Sequence, residues 1–166
     1  GRLDEIRPCT ACMECLEYVN SNKPVKCSVN PLKSFEYRYM NEEMICKAKE
    51  EKKVISVGGG LAGLEAARVA KMRGHEVTLF EESSDLGGIL KLVIEEKHKE
   101  RIRTLLEWYK NVVRKQGIKL RMNVKATPNI IEKERPDVII LATGAHPLIP
   151  KIPGVENAVL IEYVFS

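Results

Sequence analysis

The run Val54-Ile55-Ser56-Val57-Gly58-Gly59-Gly60-Leu61-Ala62-Gly63-Leu64-Glu65-Ala66-Ala67 restricts this chain more than any other stretch. It reads as a short β-branched strand, a glycine turn, and a helix that begins without a polar break. Gly58, Gly60 and Gly63 fall on the G-x-G-x-x-G spacing of a dinucleotide-binding turn. In such a turn the first glycine permits a tight exit from the strand. The second has no Cβ to hold a pyrophosphate off the backbone, and the third lets the helix lie close to the sheet. The helix N-terminus then offers unpaired N–H groups and a partial positive charge to phosphates.

A glycine pattern by itself specifies little, and a nucleotide-free doubly wound domain could carry one by chance. The surroundings decide. Glu76-Val77-Thr78-Leu79-Phe80-Glu81 reads as a second strand ending in an acid eighteen residues after Gly63. That is close to the roughly 20-residue offset at which a carboxylate reaches a ribose hydroxyl. Arg73-Gly74-His75 supplies the glycine stop between helix and strand.

Composition bounds the rest. With 166 residues the chain has room for one ordinary domain and an appendage. Apolar residues make up 44% and charged residues 30%, as in a soluble globular protein. No apolar run approaches the ~20 residues that span a bilayer, and no secretory pattern is present, so a cytoplasmic protein without membrane contact is expected. The net charge of +4 is mild, with Lys and Arg interleaved with Glu as on a solvated helix face. Aromatics are sparse, and nucleic acid is not an expected partner.

Residues 1–50 differ from the remainder. They hold all five cysteines, three prolines and no sustained periodicity. Cys9, Cys12, Cys15 and Cys27 follow the spacing C-x2-C-x2-C-x11-C. A compact triplet with a distant fourth thiolate suits a [4Fe–4S] cluster. A four-cysteine zinc site remains an alternative, although such sites usually show two C-x2-C pairs. Disulfides are disfavoured in a reducing compartment. Cys46 stands outside this pattern and reads as a part-buried free thiol.

From residue 51 onward the chain reads as α/β. Glu82-Ser83-Ser84-Asp85-Leu86-Gly87-Gly88 places a glycine pair in a loop that could approach a ligand. Residues 98–116 carry Ile102, Leu105, Leu106, Tyr109, Val112 and Val113 at helical spacing, with Trp108 off the stripe and expected to be half-exposed. Residues 118–124 suggest a third strand, and Pro128 opens a helical turn through Glu134. The apolar run from Asp137 to Ala145 is the clearest strand and suits one covered on both faces. Pro147, Pro150 and Pro153 mark a connector, with Val159-Leu160-Ile161 as a last short strand. His75, His98 and His146 are scattered, and no catalytic constellation is expected.

These residues, taken in order, resemble one family: the NADH:flavin oxidoreductases related to 2,4-dienoyl-CoA reductase, 2-enoate reductase and trimethylamine dehydrogenase. Ile6-Arg7-Pro8-Cys9, the cysteine pattern, Cys27-Ser28-Val29-Asn30-Pro31, the glycine turn, Glu81, Leu86-Gly87-Gly88 and Ala142-Thr143-Gly144 carry the resemblance over nearly the whole chain. It implies residues 1–50 as an irregular cluster-binding segment. It implies residues 51–166 as the first part of a Rossmann-like FAD/NAD(P)-binding domain, a parallel sheet with flanking helices. Cys9, Cys12, Cys15 and Cys27 would hold the [4Fe–4S] cluster. Gly58, Gly59, Gly60, Leu61, Ala62 and Gly63 would hold the pyrophosphate of FAD, or of ADP in the trimethylamine dehydrogenase branch. Glu81 and Glu82 would lie at the adenosine ribose. Gly87, Gly88, Ala142, Thr143 and Gly144 would line the same cofactor, and Val124 would meet the adenine through its backbone.

The family also carries an FMN-bearing (β/α)8 barrel and an NAD(P)H-binding segment, which are absent from these 166 residues and would be its partners, with or without homo-oligomerisation. Gly1 falls about where the barrel would end. Leu61 stands where many members have proline, and Ile89 where glutamine is frequent. The x2 step from Cys12 to Cys15 is shared with the trimethylamine dehydrogenase branch, whereas the reductase branch often has x3. The implied function is electron transfer from NAD(P)H through FAD and the cluster to FMN, in an enoate or 2,4-dienoyl-CoA reductase. The alternatives are a dehydrogenase with structural ADP and a zinc-stabilised nucleotide-binding module. The isolated chain is expected to be inactive.

Overall fold

Period-two alternation in the first strand builds two cores at once. The structure is a computed structural model that describes residues 3–35, 47–160 and 163–164. In strand β1 (Lys53–Val57), Val54 faces a core shared with Leu64, Ala67, Val77, Leu79, Leu106 and Val113. Ile55 and Val57 face the other side, against Phe80 and Ile131. Covered on both faces, β1 can place apolar residues on either side, as Val54, Ile55 and Val57 do, with buried Ser56 donating to the Gly63 carbonyl at 3.2 Å.

The element order is α1 (Glu14–Asn20), β1, α2 (Leu61–Met72), β2 (Glu76–Phe80), α3 (Leu90–Val93), α4 (Glu100–Lys115), β3 (Lys119–Arg121), α5 (Pro128–Glu134) and β4 (Val138–Leu141), with short 3-10 turns at Leu3–Glu5 and Val155–Asn157. The sheet runs β3-β2-β1-β4 with all pairs parallel. Helices α2 and α4 cover one face and α5 the other. This is the α/β, Rossmann-like arrangement expected from the sequence.

Each helix is set by its own residues. The stripe on α4 buries Leu105, Leu106, Tyr109 and Val113, while Ile102 and Val112 are half-buried beside them. Each fully buried leucine contributes about 1.5–3 kcal/mol of apolar burial. Helix α5 has Pro128 in its first turn and Thr127 as N-cap, whose side chain accepts from Ile130 N–H at 3.4 Å.

Four expectations need correction. Trp108 is buried, at 6% exposure, because residues 5–7 fold over it and its indole N–H donates to the Glu5 carbonyl at 3.2 Å. Strand β3 spans only Lys119–Arg121: Asn123 is left-handed at φ 58° and turns the chain out of the ladder. Strand β4 is not covered on both faces among the described residues. It pairs with β1 alone, and Val138, Ile139 and Leu141 are exposed. Val159 and Leu160 form no strand, and Ile161 and Cys46 lie outside the described residues.

Two contacts hold the glycine turn in place. A Cβ on Gly63 would sit 1.9 Å from the Gly58 carbonyl oxygen, so only glycine lets α2 start this close to the turn. The second contact is Glu81, buried at 8% exposure just after β2. Its Oε2 accepts from Gly59 N–H at 2.7 Å, and its Oε1 accepts from the Ser83 N–H at 2.8 Å and hydroxyl at 2.6 Å. Burial opposes the charge, but the Ser83 and Gly59 hydrogen bonds and the Lys91 ammonium outweigh it and lower the carboxyl pKa.

Gly63→Ala should therefore cost about 1–3 kcal/mol or more by overpacking. Gly60→Ala, whose Cβ would meet nothing nearer than 3.9 Å, should cost less than about 1 kcal/mol as an N-cap change. Urea unfolding at neutral pH separates the two. For Glu81 the folded pKa lies below its ordinary 4.5. Its stabilisation is thus complete above that value and is lost as pH falls through the depressed folded pKa. Glu81→Gln should lose about 1.5–3 kcal/mol at pH 7, with a flatter decline in acid when unfolding is followed from pH 7 to pH 3.

Candidate dinucleotide and cysteine sites

Parallel strands end together, so the turns that follow β1, β2 and β4 gather at one edge of the sheet. The crossover from β1 leads to β2 on one side, while β4 pairs on the other. That reversal opens a crevice beside the carboxyl end of β1, where open α/β sheets bind ligands. Gly58 stands at this point with φ 107°, and its N–H donates to the Phe80 carbonyl at 2.8 Å. A Cβ there would lie 2.2 Å from the Ala142 carbonyl oxygen. Gly58 therefore serves the approach of β4 as well as the exit from β1.

The second glycine pair closes on the first. Gly87 N–H donates to the Gly59 carbonyl at 2.8 Å, and a Cβ on Gly88 would lie 3.1 Å from the Gly60 Cα. Gly87 and Gly88 both have positive φ, at 133° and 53°. Gly59 is buried between the Leu86 and Glu81 side chains, whereas a Cβ on half-buried Gly60 would meet only the Gly88 Cα, at 3.9 Å. Leu61 and Ala62 start α2, half-buried and exposed respectively, without a side-chain cap to occupy the helix N-terminus. The uncapped start of α2 thus lies beside Gly60 and Gly88, an arrangement suited to an anionic diphosphate.

The other predicted residues take distinct places. Glu82 is exposed beside Glu81. Ala142 N–H is spent on the Val57 carbonyl at 2.8 Å, while Thr143 and Gly144 (φ 81°) are exposed beyond it. Val124 N–H donates to the Glu81 carbonyl at 3.0 Å, so only its carbonyl is left to meet a base. Lys91, which sequence reading passed over, donates to the Ser83 hydroxyl at 2.8 Å and places a cation near Glu81. His75, His98 and His146 are not gathered: His75 Nδ1 accepts from Lys52 N–H at 3.2 Å, and the other two are exposed.

The cysteines occupy the opposite end of the sequence. All four described cysteines are free thiols: Cys9, Cys12 and Cys15 are exposed and Cys27 is half-buried. Ala11 and Met13 are left-handed, at φ 56° and 62°, so the chain turns sharply on both sides of Cys12. Cys9 Sγ accepts from Ala11 N–H at 3.3 Å. Cys12 Sγ lies 2.8 Å from Ser28 Oγ, which brings the distant arm, with Cys27, to the triplet. The Ser28 hydroxyl, with backbone N–H support, lowers the Cys12 pKa. In donor chemistry, four cysteines on two chain segments joined at Cys12 and Ser28, these residues suit a thiolate-bound centre. Among the described residues, no group of three or more His, Cys, Asp or Glu is drawn close enough to hold a metal ion.

Beside the cysteine arm, Arg7, Arg68 and Trp108 gather round half-buried Glu65 in a charged and aromatic cluster. Glu65 and Arg68 are a readable (i, i+3) pair on α2, but nothing in the sequence ties either one to residue 7. No helix among the described residues is long and apolar enough to cross a membrane.

Comparison with known proteins places the geometry. The family model for pyridine nucleotide-disulphide oxidoreductases matches residues 52–164, with a second match over 22–138. The chain is 37% identical to the cinnamate reductase of Clostridium sporogenes over 164 residues, which is 98% of this chain and 24% of that protein. It is 38% identical to the NADH oxidase of Thermoanaerobacter brockii over 159 residues, 95% of this chain and 24% of that protein. It superposes on the structure of 2-naphthoyl-CoA reductase in complex with 2-naphthoyl-CoA with a TM-score of 0.88 and 37% identity, covering 98% of this chain and 25% of that one. The chain spans about a quarter of the length of the curated relatives it matches. With most of its length under the family model, and with these relatives along nearly all of it, the chain belongs to the pyridine nucleotide-disulphide oxidoreductase family, among the NADH:flavin oxidoreductases that its sequence resembles.

Proposed function

We propose that this chain is the nucleotide- and cluster-binding part of an NAD(P)H-dependent iron–sulfur flavoprotein oxidoreductase, of the enoate or 2,4-dienoyl-CoA reductase kind. The observation that carries it is the closure of the two glycine loops on each other, beside buried Glu81, at the crevice between β1 and β4. That surface has backbone donors, no bulky side chain at Gly60 and a carboxylate at the second strand end, as a dinucleotide requires. The similarity to reductases over 98% of this chain supports the rest.

In this reading residues 1–50 are the cluster-binding segment and residues 51–166 the first part of the FAD-binding domain. Gly60, Leu61, Ala62 and Gly63 hold the diphosphate of FAD at the α2 N-terminus, while Gly58 and Gly59, whose N–H groups are engaged by the Phe80 carbonyl and Glu81, shape the turn beneath it. Glu81 fixes the loop through Gly59 and leaves acceptor capacity for a ribose hydroxyl, with Glu82 beside it. Gly87, Gly88, Ala142, Thr143 and Gly144 would line the same cofactor, and Val124 would meet the adenine through its backbone carbonyl. Cys9, Cys12, Cys15 and Cys27 are the thiolates for a [4Fe–4S] cluster. The chemistry these groups supply when bound is electron transfer from NAD(P)H towards an FMN held in a barrel elsewhere in the protein, for reduction of an activated C=C bond. The chain itself contributes binding, fixed distances and local hydrogen bonding, with no side chain acting as acid, base or nucleophile.

Two measurements on the full-length protein, prepared anaerobically, test this. The visible spectrum with iron, sulfide and zinc analysis should show a broad brown absorption with matching iron and sulfide, together with a flavin band. Zinc in place of iron would instead indicate a structural module, and retention of ADP in preference to FAD would indicate the dehydrogenase branch. Gly60→Ala should then weaken nucleotide retention by about tenfold or more, about 1.4 kcal/mol, and Cys12→Ala should stop electrons from NADH reaching the FMN. Normal transfer in Cys12→Ala would end the proposed route.

A further inference from the structure

The spacing of the cysteines leaves one physical question open: what brings the triplet and Cys27, with eleven residues between, together and holds both against the rest of the molecule. Arg7 stands two residues before Cys9, and Val29 two residues after Cys27. The Arg7 Nη1 donates to the Val29 carbonyl at 2.6 Å, closing the chain between residues 7 and 29 into a loop. Its Nη2 reaches Glu65 Oε1 on α2 at 3.3 Å. The guanidinium lies over the Trp108 ring of α4, 4.7 Å from the centroid. One side chain, 8% exposed, thus joins both ends of the cysteine loop to two helices of the nucleotide-binding body.

The surroundings are built to receive it. Glu65 is fixed in a fork by Arg68, whose Nε and Nη2 donate at 2.8 and 2.9 Å. Arg68 is itself 1% exposed and donates to the Met72 sulfur at 2.8 Å. Trp108 donates to the Glu5 carbonyl, and Lys115 pairs with Asp4 and Glu5, so the segment before Arg7 is pinned to α4 as well. Two guanidinium groups around one carboxylate leave a net positive charge beside the cysteine loop. A planar fork that can donate in two directions while stacking on an indole is arginine's geometry, which lysine cannot reproduce.

We propose that Arg7 is a positioning residue: it closes the cysteine loop through Val29, fixes it on α2 and α4 through Glu65 and Trp108, and so sets the placement and electrostatic environment of the group the cysteines bind. The loop-closing part stands on the contacts alone. The part concerning the bound group rests on the iron–sulfur reading above.

The test uses the full-length protein with Arg7→Met, Arg7→Lys and Glu65→Gln. Amide hydrogen exchange at residues 9–30 should speed up by about tenfold or more in Arg7→Met, with residues 53–141 protected as in the parent. Arg7→Lys should recover part of that protection at most, and Glu65→Gln should loosen the same residues. In iron-loaded protein, loss of the cation should disfavour the reduced centre by about tenfold, lowering its midpoint potential by about 59 mV in an EPR-monitored titration, while Arg7→Lys should lie nearer the parent. If Arg7→Met fails to fold, the same readouts on Arg7→Lys and Glu65→Gln decide. Unchanged exchange at residues 9–30, or an equal rise across residues 53–141, would overturn the proposal. An unchanged potential would overturn its electrostatic part. A loosened loop in a protein that binds no iron would leave the clamp standing and remove the cluster reading instead.

Discussion

Everything at the carboxyl edge of the sheet depends on how closely α2 begins behind β1. The Gly58 carbonyl lies where a side chain at position 63 would have to go, and the Ala142 carbonyl where one at position 58 would go. Three backbone segments meet there with no side chain between them. Because that approach is steric, it leaves little freedom, and the remaining geometry follows. Gly59 is brought beside β2 so that its N–H points at Glu81, and Gly60 is left where a Cβ would meet only the Gly88 Cα. A buried carboxylate is costly unless its oxygens are satisfied. Here Gly59 and Ser83 satisfy both, so Glu81 functions as part of the backbone scaffold.

What could be read in advance was what period and spacing dictate locally. The strand-turn-helix run, β2 with its terminal acid, the apolar stripe of α4 and the proline-started α5 all depend on neighbours within about twenty residues, and all appear in the structure. What could not be read depends on the partners each segment finds. Val138-Ile139-Ile140-Leu141 has the composition of a strand covered on both faces, yet among the described residues it has one neighbouring strand and three exposed side chains. Composition records what a strand is suited to and not which cover it has. Trp108 lies off the helical stripe because its cover is Arg7 and the Glu5 carbonyl, a hundred residues earlier. Residues 122–124 leave the sheet because Asn123 and Val124 donate to Ser83 and Glu81 carbonyls. The candidate sites divide in the same way: motif spacing picked out the glycines, Glu81 and the cysteines, whereas the contact between the glycine pairs and the roles of Lys91 and Arg7 required the fold.

The buried charges say something about how the two parts are joined. Replacing a buried ion cluster by apolar side chains is often neutral or stabilising, so Arg7, Glu65 and Arg68 are weak as a source of stability. Their value is in specificity. An apolar contact between the cysteine segment and α2 could slide with little penalty, but a displaced Arg7 would give up the Val29 carbonyl and Glu65 together and leave its own guanidinium, 8% exposed, without those partners. Burial opposes ionisation of Glu65, and the two arginines overcome it and hold its carboxyl below the usual range. The same environment raises the Tyr109 hydroxyl to about 12, first by burial and then by the Glu65 charge, so the cluster keeps one protonation state across the neutral range. A fixed charge state and a contact that tolerates no slip suit a loop that carries four cysteines on two segments. Among the described residues the cysteine loop has helix α1 as its one regular element, so much of its register comes from the body on which it lies.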